Sequence, residues 1–236
     1  MEFERPHHQA IATVLYALDG QLLRDCHCLF GGGTAIALRC GEYRESMDMD
    51  FLVSDIAGYR QLRSLLTEAG GVAALTHEKA PALKQDRDVR ADQYGIRTGL
   101  LVSGRSIKFE IVFEARIELL MPAQQEALCN IATLVPMDMV TSKLLANSDR
   151  WRDDGVFSRD LLDLAMLAPS PVLLNQAVDK AATAYGEAII RDLEAAIQGL
   201  LTRSGWLERC MQAMDISVPK AVLWKKIRTL QARIRS

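Results

Sequence analysis

Two aspartates separated by a single residue, Asp48 and Asp50, stand in the stretch ESMDMDF. Residues two apart on a predicted β-strand point to one face, so both carboxylates emerge together while Met47, Met49 and Phe51 take the opposite, buried face. Neighbouring carboxylates repel each other and are stabilised by a cation between them, and hard oxygen ligands of this kind suit Mg²⁺ or Mn²⁺. So short a motif is frequent, and by itself it more often marks two solvent-facing aspartates on an edge strand.

Three glycines and a threonine, Gly31 to Thr34, precede the aspartates in the stretch FGGGTAIALR. A glycine turn that opens a helix presents unpaired backbone N–H groups at the positive end of the helix dipole, with no side chain to keep a phosphate away. Thr34 is expected to cap that helix or to offer its hydroxyl to a phosphate oxygen. Alone, the same glycines equally describe a tight strand-to-helix turn without a ligand.

Taken together, a phosphate-binding turn and a strand with two metal-binding carboxylates are what phosphoryl or nucleotidyl transfer requires. A site with two metal ions generally uses a third carboxylate. Glu110 is the candidate, because in SIKFEIVFEAR it lies on the polar face with Lys108. The apolar residues of that stretch alternate with it and are predicted to face a core or a helix layer: Ile107, Phe109, Ile111 and Phe113.

The elements that must position these residues can be read from the periodicity of the sequence. We predict one helix over HHQAIATVLYALDGQLLRDC, a strand at CHCLF, a helix at TAIALRCG, the strand SMDMDFLVS and the helix AGYRQLRSLLTEAGG. A hairpin turn is predicted at residues 103–105 and a last strand at CNIATLVP. After Pro136 the spacing is helical to the end. The pattern predicts an α+β fold, with a mixed-sheet domain over residues 1–136 and a helical domain over residues 137–236.

The net charge of the chain limits how it could bind nucleic acid. The net charge is only −2, so any nucleic-acid binding must come from a local patch. Residues 219–236 offer one, with no acidic residue; it is either a solvated helix face or a surface for RNA or phosphate. Its cations are Lys220, Lys225, Lys226, Arg228, Arg233 and Arg235. The three tryptophans, Trp151, Trp206 and Trp224, are predicted to pack in the core or between helices.

The motifs GGGTAIALR, ESMDMDF and IKFEIVF resemble the glycine motif, the D-x-D strand and the third-carboxylate strand of the polymerase-β-like nucleotidyltransferases. Within that superfamily the chain is most similar to the AbiEii-like abortive-infection toxins, in which a serine precedes the first aspartate by two residues, as Ser46 does here. A second half-motif of that family, a lysine in one helix and an arginine–aspartate pair in a later one, is matched by SKLLANSDR and SRDLLDL. The resemblance spans Phe30–Leu167.

For the first half, the resemblance implies that Gly32, Gly33, Thr34 and Ser46 hold the triphosphate of an NTP and that Asp48 and Asp50 hold the metal ions, Mg²⁺ or Mn²⁺. Glu110 would either ligate a metal or activate the acceptor hydroxyl. The wider superfamily commonly has an aspartate at this third position.

For the second half, the resemblance implies that Lys143 contacts the phosphates or the nucleotide and that Asp160 is the acidic residue near the acceptor or the lysine, with Asp163 as the competing assignment. The sequence leaves simpler interpretations open. Lys143 and Arg150 lie seven residues apart and could form a solvated helix stripe. The two aspartates could stabilise the first turn of their helix through its dipole.

The implied activity is transfer of a nucleoside monophosphate from an NTP to an acceptor hydroxyl, with release of pyrophosphate. RNA is the implied acceptor, including a tRNA 3′ end, and the implied context is the toxin of a toxin–antitoxin pair with a cognate antitoxin protein. Two alternatives remain: transfer to a small molecule or a protein side chain, and a non-catalytic nucleotide-binding module. Five cysteines without a framework spacing, with no signal peptide and no membrane-length apolar run, predict a cytoplasmic protein that does not contact a membrane.

Overall fold

The computed structural model describes residues 3–68, 70–124 and 126–234. The contacts divide the chain into two compact units. One, here called the sheet unit, comprises Met1–Leu38 and Ser46–Val135, and the other, the helical unit, comprises Arg39–Glu45 and Pro136–Ser236.

The sheet unit begins with two helices, α1 (Pro6–Ala17) and α2 (Gly20–Asp25), followed by the short strand β1 (Leu29–Phe30). The helix α3 (Gly32–Arg39) leads to β2 (Asp48–Val53), α4 (Ile56–Thr67) and a 3₁₀ turn (Gly71–Leu75). Three longer strands follow, β3 (Lys84–Ala91), β4 (Gly95–Val102) and β5 (Arg105–Phe113), and then a small hairpin of β6 (Ala127–Leu128) and β7 (Ile131–Ala132).

The main sheet has five strands in the order β1-β2-β5-β4-β3. The β2–β5 pair is parallel, and the other neighbours are antiparallel. Aromatic rings line its buried face: the ring centroids of Phe30 and Phe51 lie 5.3 Å apart, as do those of Phe51 and Phe109. This parallel pair lies at the centre of the sheet, and it is the pair that carries the predicted acidic residues.

The helical unit contains α5 (Pro136–Arg150), a 3₁₀ turn (Asp154–Val156), α6 (Arg159–Leu167) and α7 (Pro171–Tyr185). It continues with α8 (Ala188–Thr202), α9 (Trp206–Ala213) and α10 (Lys220–Ile234). Helix α5 packs against α6, α7 and α8. Apolar side chains with almost no exposed surface fill the space between them, among them Leu145, Leu164, Ala177, Leu193 and Ile197.

The α+β fold class is confirmed, while several element boundaries differ from the prediction. The first predicted helix is two helices, because the chain leaves helical geometry at Leu18 and the Asp19 carboxylate caps α2, accepting hydrogen bonds from the N–H groups of Gln21 and Leu22. The stretch CHCLF forms a strand only at its last two residues. The predicted last strand is instead the hairpin β6–β7, because Cys129 and Asn130 both have positive φ and reverse the chain.

The predicted turn between β4 and β5 is confirmed. Ser103 and Gly104 have φ values of +50° and +76°, the pair of positive angles that a two-residue hairpin requires. Ile107, Phe109 and Ile111 are fully buried, as the alternation predicts, whereas Phe113 is only half-buried at the end of the strand.

Candidate active site

The two aspartates lie at the start of the central strand β2. Met49 and Phe51 are completely buried, and both aspartates are partly exposed on the opposite face, as predicted. The prediction for Met47 was wrong: its side chain is 52% exposed, because the strand begins only at the next residue.

The parallel pairing of β2 with β5 sets Asp48 opposite Lys108 and Asp50 opposite Glu110. Partners in register on neighbouring strands have side chains on the same face of a sheet. The sheet therefore brings the three predicted carboxylates onto one face and adds a lysine to them.

The Glu110 carboxylate is held by two cations. The Arg97 Nε lies 2.6 Å from Oε1 and the Lys108 Nζ lies 2.5 Å from Oε2. Arg97 also contacts the Asp92 carboxylate, with 3.1 Å between its Nη1 and Oδ2. Burial works to lower the pKa of Lys108, but the carboxylates of Glu110, Asp48 and Asp50 outweigh it and raise that pKa.

These contacts decide how well the site fits a metal ion. In the described ranges, no three side chains among His, Cys, Asp and Glu form a metal-binding group. The chemistry of Asp48 and Asp50 fits Mg²⁺ or Mn²⁺, since both are oxygen donors on one face of one strand. Glu110 does not complete this set as it stands, because each of its oxygens is bound to a cation.

Helix α3 starts directly beside the second aspartate. Gly32 has a φ of +66°, and a Cβ atom at this position would lie 2.5 Å from the Oδ2 of Asp50. The Gly31 N–H donates to the Asp50 carbonyl oxygen at 2.9 Å. Gly32 and Gly33 are both partly exposed, so the N-terminus of the helix is open to solvent next to the carboxylate face. This is the geometry that a phosphate-binding turn requires.

Thr34 has an internal partner for its hydroxyl. The side chain is buried, and its Oγ1 contacts the Asp48 carbonyl oxygen and lies 2.7 Å from the Ser46 Oγ. These contacts join the first turn of α3 to the start of β2. Thr34 and Ser46 are thus brought to the site, and their hydroxyls are turned toward each other and the backbone.

Two buried histidines, which sequence reasoning did not use, hold the chain just before Asp48. The His8 Nε2 accepts a hydrogen bond from the Ser46 N–H at 3.2 Å, and the His7 Nε2 lies 2.9 Å from the Met47 carbonyl oxygen. Both lie in the first turn of α1. Their partners are about forty positions away in the chain, so no local spacing could have indicated this role.

In the helical unit, the predicted lysine and both predicted aspartates meet in a buried ion cluster. The Lys143 Nζ lies 2.9 Å from the Asp160 Oδ1 and 2.6 Å from the Asp163 Oδ2. Arg150 binds the Asp160 carboxylate with its Nε and Nη2, at 2.7 and 3.0 Å. Arg44 binds the Asp163 carboxylate in the same two-pronged way, at 2.8 and 3.1 Å.

This cluster is not a solvated stripe, since Lys143, Asp160 and Asp163 are all buried. Burial alone would raise the pKa of each aspartate. Lys143 and Arg150 outweigh burial at Asp160 and lower its pKa. Arg44 and Lys143 do the same at Asp163. For Lys143 the two carboxylates outweigh burial and raise its pKa. All three groups are therefore charged at neutral pH, and both aspartates are in direct contact with the lysine.

Two cations of the basic C-terminal patch make contacts within the helical unit. Lys220 pairs with Glu208, and Arg233 donates to the carbonyl oxygens of Ala168 and Pro169 at the end of α6. Of the tryptophans, Trp206 is buried as predicted, whereas Trp224 is 38% exposed on α10. Arg235 lies outside the described residues.

Comparisons with known proteins identify the family and the fold of the chain. The family described as "Nucleotidyl transferase AbiEii toxin, Type IV TA system" matches residues 13–235. The chain is similar in fold to JHP933 from Helicobacter pylori, with a TM-score of 0.54 and 16% identity over 99% of this chain and 92% of that one. It is also similar to a proposed nucleotidyltransferase from H. pylori, with a TM-score of 0.50 and 16% identity over 97% and 92% of the two chains.

A search of the curated proteins found no match. Among the described residues, no helix is long and apolar enough to cross a membrane.

Proposed function

Since the chain belongs to the AbiEii nucleotidyltransferase toxin family, we propose that it is a metal-dependent enzyme that transfers an NMP from an NTP to a hydroxyl group of RNA. The acceptor oxygen forms a bond to the α-phosphorus, the bond from that phosphorus to the β-phosphate oxygen breaks, and pyrophosphate leaves. The proposal includes a tRNA 3′ end as acceptor, a cognate antitoxin protein as partner and a cytoplasmic place of action.

One observation carries this proposal: Asp48 and Asp50 share a face of β2, and the backbone of Gly32 at the start of α3 packs against the second carboxylate. Asp48 and Asp50 would hold Mg²⁺ or Mn²⁺, which in such enzymes neutralises the phosphates and lowers the pKa of the attacking hydroxyl. The N–H groups at the start of α3 would bind the triphosphate, with Gly32 and Gly33 leaving its oxygens room to approach.

We propose positioning or ligand-contact roles for the other predicted site residues. We assign Thr34 and Ser46 to positioning, because their hydroxyls hold α3 to the strand that carries Asp48. We keep Lys143 as a contact to the phosphates or the nucleotide, with Asp160 and Asp163 fixing its ammonium group. Glu110 would act through Arg97 and Lys108 unless ligand binding frees its oxygens.

The test is incorporation of label into RNA. Purified protein is incubated with total cellular RNA, Mg²⁺ or Mn²⁺, and each of the four α-labelled NTPs in turn. We expect at least one nucleotide to be incorporated and EDTA to abolish the reaction. Pyrophosphate release without labelled RNA would move the acceptor to a small molecule or a protein. Nucleotide binding with no turnover would contradict the enzyme and favour a non-catalytic module.

A further inference from the structure

The two cations that hold Glu110 are more exposed than the carboxylate they cover. The Glu110 side chain is 12% exposed, whereas those of Lys108 and Arg97 are 46% and 40% exposed. A ligand that approaches this part of the sheet therefore meets an ammonium and a guanidinium group before it meets the carboxylate.

Lys108 is the cation nearer to the aspartates in the sheet. It stands opposite Asp48 in the parallel β2–β5 pair, two register positions from the Asp50–Glu110 pair and on the same face of the sheet. Arg97 lies on the far side of Glu110, on β4, where it is the register partner of that glutamate. The order of charged groups across the sheet is thus acidic at β2, mixed at β5 and basic at β4.

From this arrangement we propose that Lys108 binds a phosphate oxyanion at the face of Asp48 and Asp50. The oxyanion belongs either to the bound NTP or to the backbone of the RNA acceptor, and the inference rests on the nucleotidyl transfer proposed above. A lysine suits this role, because its compact charge sits on a flexible stem and can exchange one oxygen partner for another.

Release of Lys108 does not leave Glu110 without a partner. The Arg97 Nε remains at 2.6 Å from Oε1 and keeps one strong charge-assisted hydrogen bond on the buried carboxylate. The lysine can thus move to a phosphate at a small cost to the fold. The simpler alternative is that Lys108 only neutralises the three carboxylates, and the two roles differ in what substitution does to ligand affinity.

The experiment compares Lys108→Gln and Lys108→Arg with the matched control Lys84→Gln, an exposed lysine on β3 of the same sheet. Five quantities are measured on the full chain: the Kd for each labelled NTP by equilibrium dialysis with Mg²⁺, the Kd for labelled RNA by filter binding, the KM for NTP, the KM for RNA, and kcat. Loss of a hydrogen bond to a charged group is worth about tenfold or more in affinity. We expect Lys108→Gln to raise the Kd and KM for one of the two substrates, NTP or RNA, by that factor. Lys108→Arg should restore most of the lost affinity, and Lys84→Gln should leave the Kd and KM values for both substrates unchanged.

The affected substrate identifies the source of the phosphate. Unchanged Kd and KM values for both NTP and RNA in Lys108→Gln would overturn the inference and leave a neutralising role, which would instead lower the melting temperature without metal. If the wild type binds NTP but does not turn over, the proposed function fails while the Kd comparison still decides the role of Lys108. A wild type that binds neither NTP nor RNA overturns both.

Discussion

Gly32 packs so closely against the Asp50 side chain that the candidate site has no room for a Cβ atom at this position. The glycine has the left-handed φ that other residues adopt at a cost of about 1–2 kcal/mol. More important, an added Cβ would lie 2.5 Å from the carboxylate oxygen and 2.8 Å from the Asp50 Cβ. Any side chain here must therefore displace the proposed metal ligand.

We expect Gly32→Ala to lower the rate of pyrophosphate release by about a hundredfold, the scale on which loss of one preorganised electrostatic contact acts. Gly104→Ala is the matched control, because it has a φ of +76° and no atom within 4 Å of the added Cβ. It imposes similar backbone strain without touching Asp50. Equal loss of activity in the two variants would show that strain alone, and not the carboxylate, explains the effect.

At the scale of elements, side-chain contacts connect α3, α1 and the start of β2. The Thr34 hydroxyl contacts the Asp48 carbonyl oxygen and Ser46, and the two histidines of α1 bind the backbone of Ser46 and Met47. The residues immediately before Asp48 are thus held by hydrogen bonds from two helices. These hydrogen bonds therefore fix the position of the backbone that carries the Asp48 carboxylate.

We expect Thr34→Val to destabilise the protein by about 1–3 kcal/mol, because it preserves the shape of the side chain and leaves buried polar partners unsatisfied. Urea unfolding followed by circular dichroism measures the change. Thr67→Val is the control, since that hydroxyl is exposed and bonds only to backbone within its own helix. A variant with unchanged stability and a raised KM for NTP would refute this account and restore Thr34 to a direct phosphate contact.

The sequence predicted the elements whose apolar residues alternate clearly. The alternation of Ile107, Phe109 and Ile111 predicted β5, and the turn residues at positions 103–105 predicted the hairpin that precedes it. Strand β3 was not predicted, because KQDRDVRA is an edge strand with charged residues on both faces, and its two apolar residues, Val89 and Ala91, are too few to establish a period of two. The break at Asp19 was missed because the apolar spacing of α1 continues across it into α2.

In the candidate site too, features set by local spacing could be predicted, and contacts between distant parts of the chain could not. The shared face of Asp48 and Asp50 follows from local geometry, so it could be predicted from spacing alone. The cations on Glu110 depend on register between strands, and the Arg44 contact to Asp163 joins residues 119 positions apart. No local pattern reports such pairings, and that is why Arg97, Arg44 and the buried histidines were missed.

At the scale of the whole molecule, the family match extends over both units, from residue 13 to residue 235. The helical unit has its own apolar core and its own buried ion cluster around Lys143. The short segment Arg39–Glu45 belongs to this unit although it lies in the chain between α3 and β2, and it supplies Arg44. Stability of the helical unit should therefore depend on pH through the ion cluster.

We expect Asp163→Asn to destabilise the helical unit by about 3–5 kcal/mol at neutral pH, since it removes the carboxylate that binds the buried Arg44 and leaves Lys143 with Asp160 alone. The lowered pKa of Asp163 contributes stability above the ordinary aspartate pKa of about 3.9, and this is lost as pH falls further. The raised pKa of Lys143 contributes below about pH 10.4 and is lost above it.

The difference between wild type and Asp163→Asn should therefore be constant from about pH 5 to 9 and shrink below about pH 4. Tryptophan fluorescence during urea unfolding reports this unit selectively, because Trp151, Trp206 and Trp224 all lie in it. Asp179→Asn, at an exposed aspartate of α7, serves as the control. A difference that persists unchanged at pH 3 would contradict the assignment to Asp163 ionisation.

The central claim is that Asp48 and Asp50 hold the metal ions for nucleotidyl transfer, and Mg²⁺-dependent pyrophosphate release with RNA present tests it most directly. Asp48→Asn and Asp50→Asn are nearly isosteric and remove one negative charge each, so both should lower the rate by about a hundredfold or more. Their melting temperatures should stay level or rise, because repulsion between the carboxylates is relieved when no metal is bound. The control Asp88→Asn, at an exposed aspartate of β3, should retain full activity. Turnover near the wild-type rate in both site variants, with the fold intact, would contradict the claim.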